Sequence, residues 1–201
     1  MDIKNTIEVL KKGGVVVYPT ETFYAIGCLI CFSNSIKKIF QIKKRPYDKP
    51  LPIIIGDLSQ LWELTDFKSP TLLKIINNFW PGPLSILVPA KKNICNHLLD
   101  PNNHLCVRMT SHPVAKKLCL KTNSPIISTS ANLSGKPAVS LPHLLDKNII
   151  KSADYTLLSP PYPLGKAPST IIKILTPNKI KLIRQGAISK KELEKLSFDV
   201  V

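Results

Sequence analysis

A chain of 201 residues is long enough to bury a full core, and no shift of composition marks a linker or a second core, so one domain over residues 1–201 is expected. With 44% hydrophobic and 20% charged residues, the composition excludes a disordered or fibrous protein. Lys and Arg number 28 against 13 Asp and Glu, and the resulting net charge of +15 attracts polyanions, although a solvated lysine-rich surface accounts for the same count.

Ile3, Ile7 and Leu10 recur at helical spacing and stop at Gly13-Gly14, which predicts a first helix. The run Val15 to Tyr18 reads as a strand meeting Pro19. Ser33 is placed to cap a second helix that turns Ile36, Ile39, Phe40 and Ile42 toward a core, and the polar loop Lys43 to Pro50 follows. A buried strand begins at Leu51. Asp57 to Leu64 and Ser69 to Phe79 read as two helices, the second with Ser69 as cap and Pro70 in its first position. Trp80-Pro81-Gly82-Pro83 ends them. Strands are expected at Leu84 to Val88 and Leu105 to Met109, then a helix opened by Ser111 and Pro113, then a strand from Pro125 to Ser128. The proline-rich stretch Ser159 to Pro168 reads as a mobile connection. Thr170 to Leu175 and Lys179 to Arg184 form a hairpin turning at Pro177-Asn178, and Ser189 with Glu192 makes a capping box for a last short helix. The interleaving of helices and strands predicts an α/β fold, with a twisted open mixed sheet flanked by helices.

The longest apolar runs, Leu51 to Gly56 and Ile86 to Val88, fall far short of a bilayer span, and the polar start is unlike a signal peptide. A cytoplasmic protein with no membrane partner is expected. Five cysteines, most of them in apolar segments (Cys28, Cys31, Cys106, Cys119), read as reduced thiols. Cys28 and Cys31 form a lone C-x-x-C with no second pair at zinc-ribbon spacing, so no protein-held metal site is expected.

Three turns carry residue types suited to chemistry. Pro19-Thr20-Glu21-Thr22-Phe23-Tyr24 gathers polar side chains and a ring, and either holds a small polar ligand or caps backbone donors. Lys43, Lys44, Arg45 and Lys49 set cations around Pro46, which suits phosphate: arginine grips oxygens bidentately and lysine supplies a point charge. A solvated basic loop is the alternative. Ser128-Thr129-Ser130-Ala131-Asn132 begins where a buried strand ends, and α/β sheets bind ligands at that edge. Arg108, with Ser111 and His112 following, is suited to a substrate carboxylate, or else to an ion pair at a strand end. Ser169-Thr170 and Arg184-Gln185-Gly186 are weaker candidates. Walker A, dinucleotide-binding and Gly-x-Ser-x-Gly patterns are absent, so any ATP is held by side chains and scattered backbone donors.

In this order, the segments Gly14 to Tyr24, Lys43 to Pro46 with Lys49 to Leu51, Trp80 to Pro83, Val107-Arg108 with His112-Pro113, Ser128 to Asn132, Ser169-Thr170 and Arg184 to Gly186 resemble the YrdC-like family of L-threonylcarbamoyladenylate synthases. The resemblance spans nearly the whole chain. It implies a YrdC-like fold with a basic concave cleft, and a reaction joining L-threonine, bicarbonate and ATP, with Mg2+, into L-threonylcarbamoyl-AMP and pyrophosphate for tRNA modification. By family position, Lys43, Arg45, Ser130 and Asn132 surround the nucleotide as a Lys-x-Arg and Ser-x-Asn constellation. Lys49, Ser128, Ser169, Thr170 and Arg184 extend the ATP site, and Thr20, Thr22, Tyr24, Arg108 and His112 hold threonine. The intermediate would pass to a tRNA threonylcarbamoyltransferase complex. Three positions depart from the family. Gln185 stands where Pro or Glu is commoner, and Ala25-Ile26 replaces Gly-Leu, at a cost of about 1 kcal/mol if that backbone needs positive φ. The chain resembles the short, single-domain form. The competing reading is a paralogue that binds double-stranded RNA or tRNA, or hydrolyses threonylcarbamoyl compounds, without synthase activity.

Overall fold

A computed structural model describes residues 2–201. Its elements in chain order are α1 (Asp2–Lys11), β1 (Val16–Pro19), β2 (Tyr24–Gly27), α2 (Ser33–Lys43), β3 (Ile53–Ile55), α3 (Leu58–Leu64), α4 (Pro70–Phe79), β4 (Leu84–Pro89), β5 (His104–Met109), α5 (Pro113–Thr122), β6 (Ile126–Ile127), β7 (Thr129–Ser130), α6 (Lys147–Ser152), β8 (Tyr155–Thr156), β9 (Thr170–Thr176), β10 (Lys179–Arg184), α7 (Lys190–Glu194) and β11 (Asp199–Val200). The fold is mixed α/β, as its sequence pattern implies. In place of one sheet there are two open ones, a four-stranded sheet ordered β7-β2-β1-β8 and a seven-stranded sheet ordered β11-β10-β9-β4-β5-β3-β6.

Strand β1 shows why both faces of the small sheet are apolar. Alternate side chains point to opposite faces. Val16 and Tyr18 join Leu10 of α1 and Ala115, Leu118 and Cys119 of α5. Val17 joins Ile36, Ile39 and Phe40 of α2 in the larger core. In the large sheet, β4 places Leu84, Ile86 and Val88 in that core, which leaves Ser85 and Leu87 on the opposite face. That face becomes the floor of the site.

Several local expectations are corrected. Tyr24, read as the last residue of a turn, opens a strand to Gly27 that pairs antiparallel with β1. Ala25 sits opposite Tyr18 and Ser130 in extended backbone, so it carries no positive-φ cost. The demanding glycine is Gly27, where an added Cβ would lie 1.7 Å from the Ile127 carbonyl oxygen. Ser33 does not cap α2; Phe32 occupies the cap position without a side-chain bond, and Ser35 instead donates to the Gly13 carbonyl. Likewise His112, and not Ser111, precedes α5, again without a side-chain cap. Asp57, Ser69 and Ser189 do cap their helices, the last in a capping box. The segment 159–168 is irregular yet tied down: Gly165 N–H donates to the Thr22 carbonyl at 2.8 Å, and the Pro161 carbonyl receives the His112 ring at 3.0 Å.

Candidate active site

Helix α2 ends in a way that sends two cations to different places. Lys44 takes a left-handed conformation (φ 50°), and the Lys44 and Arg45 N–H groups bond back to Gln41 and Phe40. Lys43 therefore remains on the last helical turn and points inward, 2% exposed, while Arg45 leaves with the loop. The Lys43 Nζ donates to the carbonyls of Ser130 and of Asn132, the latter at 2.7 Å, and the Lys43 carbonyl accepts from Ser134 N–H at 2.9 Å. Two turns far apart in sequence are thus one unit. Burial, and then the charge of Arg45, pull Lys43 down to about 7.

This unit forms one wall of a cavity of about 590 Å³. Arg45 and Lys136, with Ser128, Ser130 and Asn132, stand on that wall; Ser85, Cys106, Arg108, Ser169 and Arg184 rise from the sheet, and Thr20, Thr22 and Tyr24 close one side. Arg45 is aimed by its own loop, donating to the carbonyls of Lys49 at 2.9 Å and Pro50 at 3.0 Å. Arg184 donates to the Ser169 carbonyl at 2.7 Å and to the Ser169 hydroxyl at 3.1 Å. Burial lowers the pKa of both guanidiniums; at Arg45 the Asp48 charge opposes this and the Arg184 charge adds to it. Among the described residues, Lys43, Arg45 and Arg184 meet only uncharged oxygens and enter no salt bridge. The buried Ser128 Oγ and Asn132 Oδ1 have no partner among the described residues. Guanidiniums without a salt bridge beside an unpartnered hydroxyl make a site for a polyanion, while Asn132 Oδ1, an acceptor, suits a donor on the ligand.

Arg108 differs. Its Nη1 donates to Glu21 Oε1, and Glu21 Oε2 accepts the Thr110 hydroxyl at 2.7 Å, all of it buried. Nearby, Tyr24 keeps its phenol proton, pushed up to about 12 by burial, and its hydroxyl reaches the Leu158 carbonyl at 3.5 Å. The Thr20 hydroxyl donates to the Phe23 carbonyl at 2.7 Å and accepts from Thr22 N–H, so it holds the turn together.

Four candidates lie off the cavity wall. Lys43 stands behind it. Lys49 is exposed and contributes its carbonyl to Arg45. Thr170 is fully buried, bonding Ile188, Gly186 and Ile188 again through its one hydroxyl. His112 is 5% exposed; its Nε2 donates to a carbonyl, so Nδ1 is a bare buried acceptor, and burial lowers the ring's pKa. Conversely, Glu21, Ser85, Asp100 and Lys136 belong to the site or its support without having been singled out. Glu21 lay in a quoted motif, and Ser85 is betrayed only by strand parity.

A family model named Sua5_yciO_yrdC and described as "Telomere recombination" matches residues 8–186. The chain belongs to this family. It is 37% identical over 139 residues to the Threonylcarbamoyl-AMP synthase of Psychromonas ingrahamii, covering 68% of this chain and 73% of that one. Another family member of that name, from Bacillus subtilis, is 33% identical over 197 residues, covering 96% of this chain and 55% of the relative. Among solved structures, P. abyssi Sua5 complexed with L-threonine superposes with a TM-score of 0.89 at 28% identity, over 99% of this chain and 58% of that one. E. coli YciO gives 0.83 at 28% identity, over 94% and 91%. The chain thus spans little more than half the length of the Bacillus and P. abyssi relatives.

Proposed function

We propose that the chain is an L-threonylcarbamoyladenylate synthase, converting L-threonine, bicarbonate and ATP into L-threonylcarbamoyl-AMP and pyrophosphate in the cytoplasm, for modification of tRNA. The observation that carries this reading is the division of charge in one cavity. On its wall Arg45 and Arg184 enter no salt bridge, whereas Arg108 already has a carboxylate partner, and Lys43 stands behind the wall. The first two suit a triphosphate, and Arg108 suits a single carboxylate. The names of the curated relatives and the threonine complex of P. abyssi Sua5 support the synthase reading.

In the chemistry so proposed, the threonine amine attacks the carbon of bicarbonate and water departs, leaving a carbamate. A carbamate oxygen then bonds the α-phosphorus of ATP, the bond to the β-phosphate oxygen breaks, and pyrophosphate leaves with that electron pair. Arg45 and Arg184 neutralise the departing charge, and Lys43 holds the Ser130–Asn132 turn against it. Positioning and electrostatics supply the acceleration, with no covalent enzyme intermediate. Magnesium fits as an ion carried by the triphosphate's own oxygens: the cavity wall offers one carboxylate, Asp100, against Arg45, Arg108, Lys136 and Arg184. Bound there, it would neutralise phosphate charge.

Incubation with ATP, magnesium, labelled bicarbonate and L-threonine is expected to place label in a threonine-dependent adenylate, with pyrophosphate in equal amount. Folded protein that yields neither product, yet binds double-stranded RNA with steep salt dependence, would be the non-synthase paralogue.

A further inference from the structure

Arg108 is the cation of the cavity that arrives already paired, and its pairing is specific. A guanidinium presents five N–H donors in one plane. Glu21 Oε1 takes a donor on Nη1, and Thr110 occupies the other Glu21 oxygen at 2.7 Å. Each carboxylate oxygen therefore has a protein partner, which suits Glu21 to holding Arg108 and not to binding substrate itself. Among the described residues, the remaining Arg108 nitrogens, Nε and Nη2, have no partner, and neither is among the buried orphaned atoms, so they open onto the cavity that Arg108 lines. Fixing one edge of a rigid plane fixes the direction of the other edge. A carboxylate gripped bidentately requires that direction to be set.

Charge is the second consequence. ATP and threonine are both anionic at the groups this cavity must hold, and Arg184 stands close enough to Arg108 for their charges to oppose each other. Were Arg108 unpaired, it would be one more uncompensated cation beside Arg45 and Arg184, attractive to phosphate. We infer that Glu21 is a positioning residue that reserves Arg108 for the amino-acid carboxylate, by fixing its free donors and cancelling its pull on the triphosphate. The inference rests on the synthase reading.

The test is full steady-state kinetics on the wild-type protein, Glu21→Gln and Glu21→Asp, varying threonine and ATP independently, with thermal melting to establish folding. Glu21→Gln keeps the side-chain shape and removes the charge. Its KM for threonine is expected to rise about tenfold, equivalent to about 1.4 kcal/mol, with the KM for ATP little changed. High ATP is expected to inhibit it competitively against threonine, which a merely structural defect would not produce, and Glu21→Asp is expected to relieve that inhibition. A folded Glu21→Gln with an unchanged threonine KM, or with threonine and ATP KM values rising together and no ATP inhibition, overturns the inference. Should Glu21→Gln not fold, Thr110→Val takes its place: it keeps the ion pair and loosens Glu21, and an unchanged threonine KM there also overturns the inference. A wild-type protein that forms no threonine-dependent product fails separately, because it overturns the synthase reading before any variant is compared.

Discussion

The two walls of the cavity are held in place by different forces. Ser85, Cys106, Arg108 and Arg184 project from β4, β5 and β10, whose backbones are fixed by ladders within a seven-stranded sheet. The opposite wall, Arg45 with Ser128 to Asn132, consists of the two-residue edge strand β7 and the turns beside it, and its two halves are joined by Lys43 Nζ on two carbonyls and one backbone bond from Ser134. The seven-stranded sheet has many redundant bonds behind each side chain; the turn wall has fewer, the short β7–β2 pairing and the Ser128 and Ala131 N–H bonds to the Pro52 and Tyr24 carbonyls. Function on the sheet side is therefore local to the side chain replaced, whereas on the turn side one residue governs several.

The largest expected effect follows from that asymmetry. Lys43→Ala removes the amine behind the nucleotide site and leaves the Ser130 and Asn132 carbonyls without their partner. Loss of a preorganised electrostatic group costs on the order of 100-fold in rate, and here the turn carrying Ser130 and Asn132 is freed as well. Turnover of ATP should fall at least about that far while the melting transition stays cooperative. A fall of only a few-fold would mean that the turn wall does not depend on Lys43.

The same asymmetry decides what could be read from the sequence. The turn wall is written in consecutive residues, Lys43 to Arg45 and Ser128 to Asn132, because a turn brings chain neighbours to one place. The sheet wall is written in alternation across three strands, so Ser85 appears as a lone serine in an apolar run and Cys106 as an ordinary core thiol. Glu21 was visible, but its partners Arg108 and Thr110 lie 87 and 89 residues away, a separation that periodicity does not bridge. Of the fold, the amphipathic helices and the β9–β10 hairpin were legible because each repeats its pattern. Strands β2, β8 and β11 were not, since they are two to four residues long and depend on neighbours brought by the rest of the chain. Thr170 shows the reverse error: its place in a motif suggested ligand contact, yet its hydroxyl serves Ile188 and Gly186.

An intermediate effect concerns the proton on Lys43. The group is pulled from its ordinary 10.5 to about 7 by burial, so between those values the unfolded chain holds a proton that the ligand-free native protein has released. Stability rises with pH wherever the unfolded state binds more protons. Chemical denaturation across that range should show the wild-type protein gaining on Lys43→Met by up to about 1.4 kcal/mol per pH unit, the limit for one proton. Below about 7, where both states are protonated, the difference should flatten. A difference that does not change with pH would show that Lys43 keeps its charge in the folded protein, and the turn wall would then be a permanently charged clamp.

The smallest effect is expected on the sheet wall. The Ser85 hydroxyl sits 3.1 Å from the Ser169 hydroxyl, which also accepts from Arg184 at 3.1 Å, while Arg184 has its stronger hold on the Ser169 carbonyl at 2.7 Å. Ser85→Ala removes one of these bonds, leaves no charged group without a partner and leaves the strand ladder untouched. A single hydrogen bond of this kind contributes about 1 kcal/mol, so stability should change by no more than that and the KM for ATP by a few-fold at most. Measured beside Lys43→Ala by the same assay, Ser85→Ala sets the scale for a side chain whose backbone is held independently. Equal losses in the two variants would mean that Ser169 and Arg184 depend on Ser85 as the Ser130–Asn132 turn depends on Lys43, and the two walls would then be coupled through their hydroxyls and not built separately.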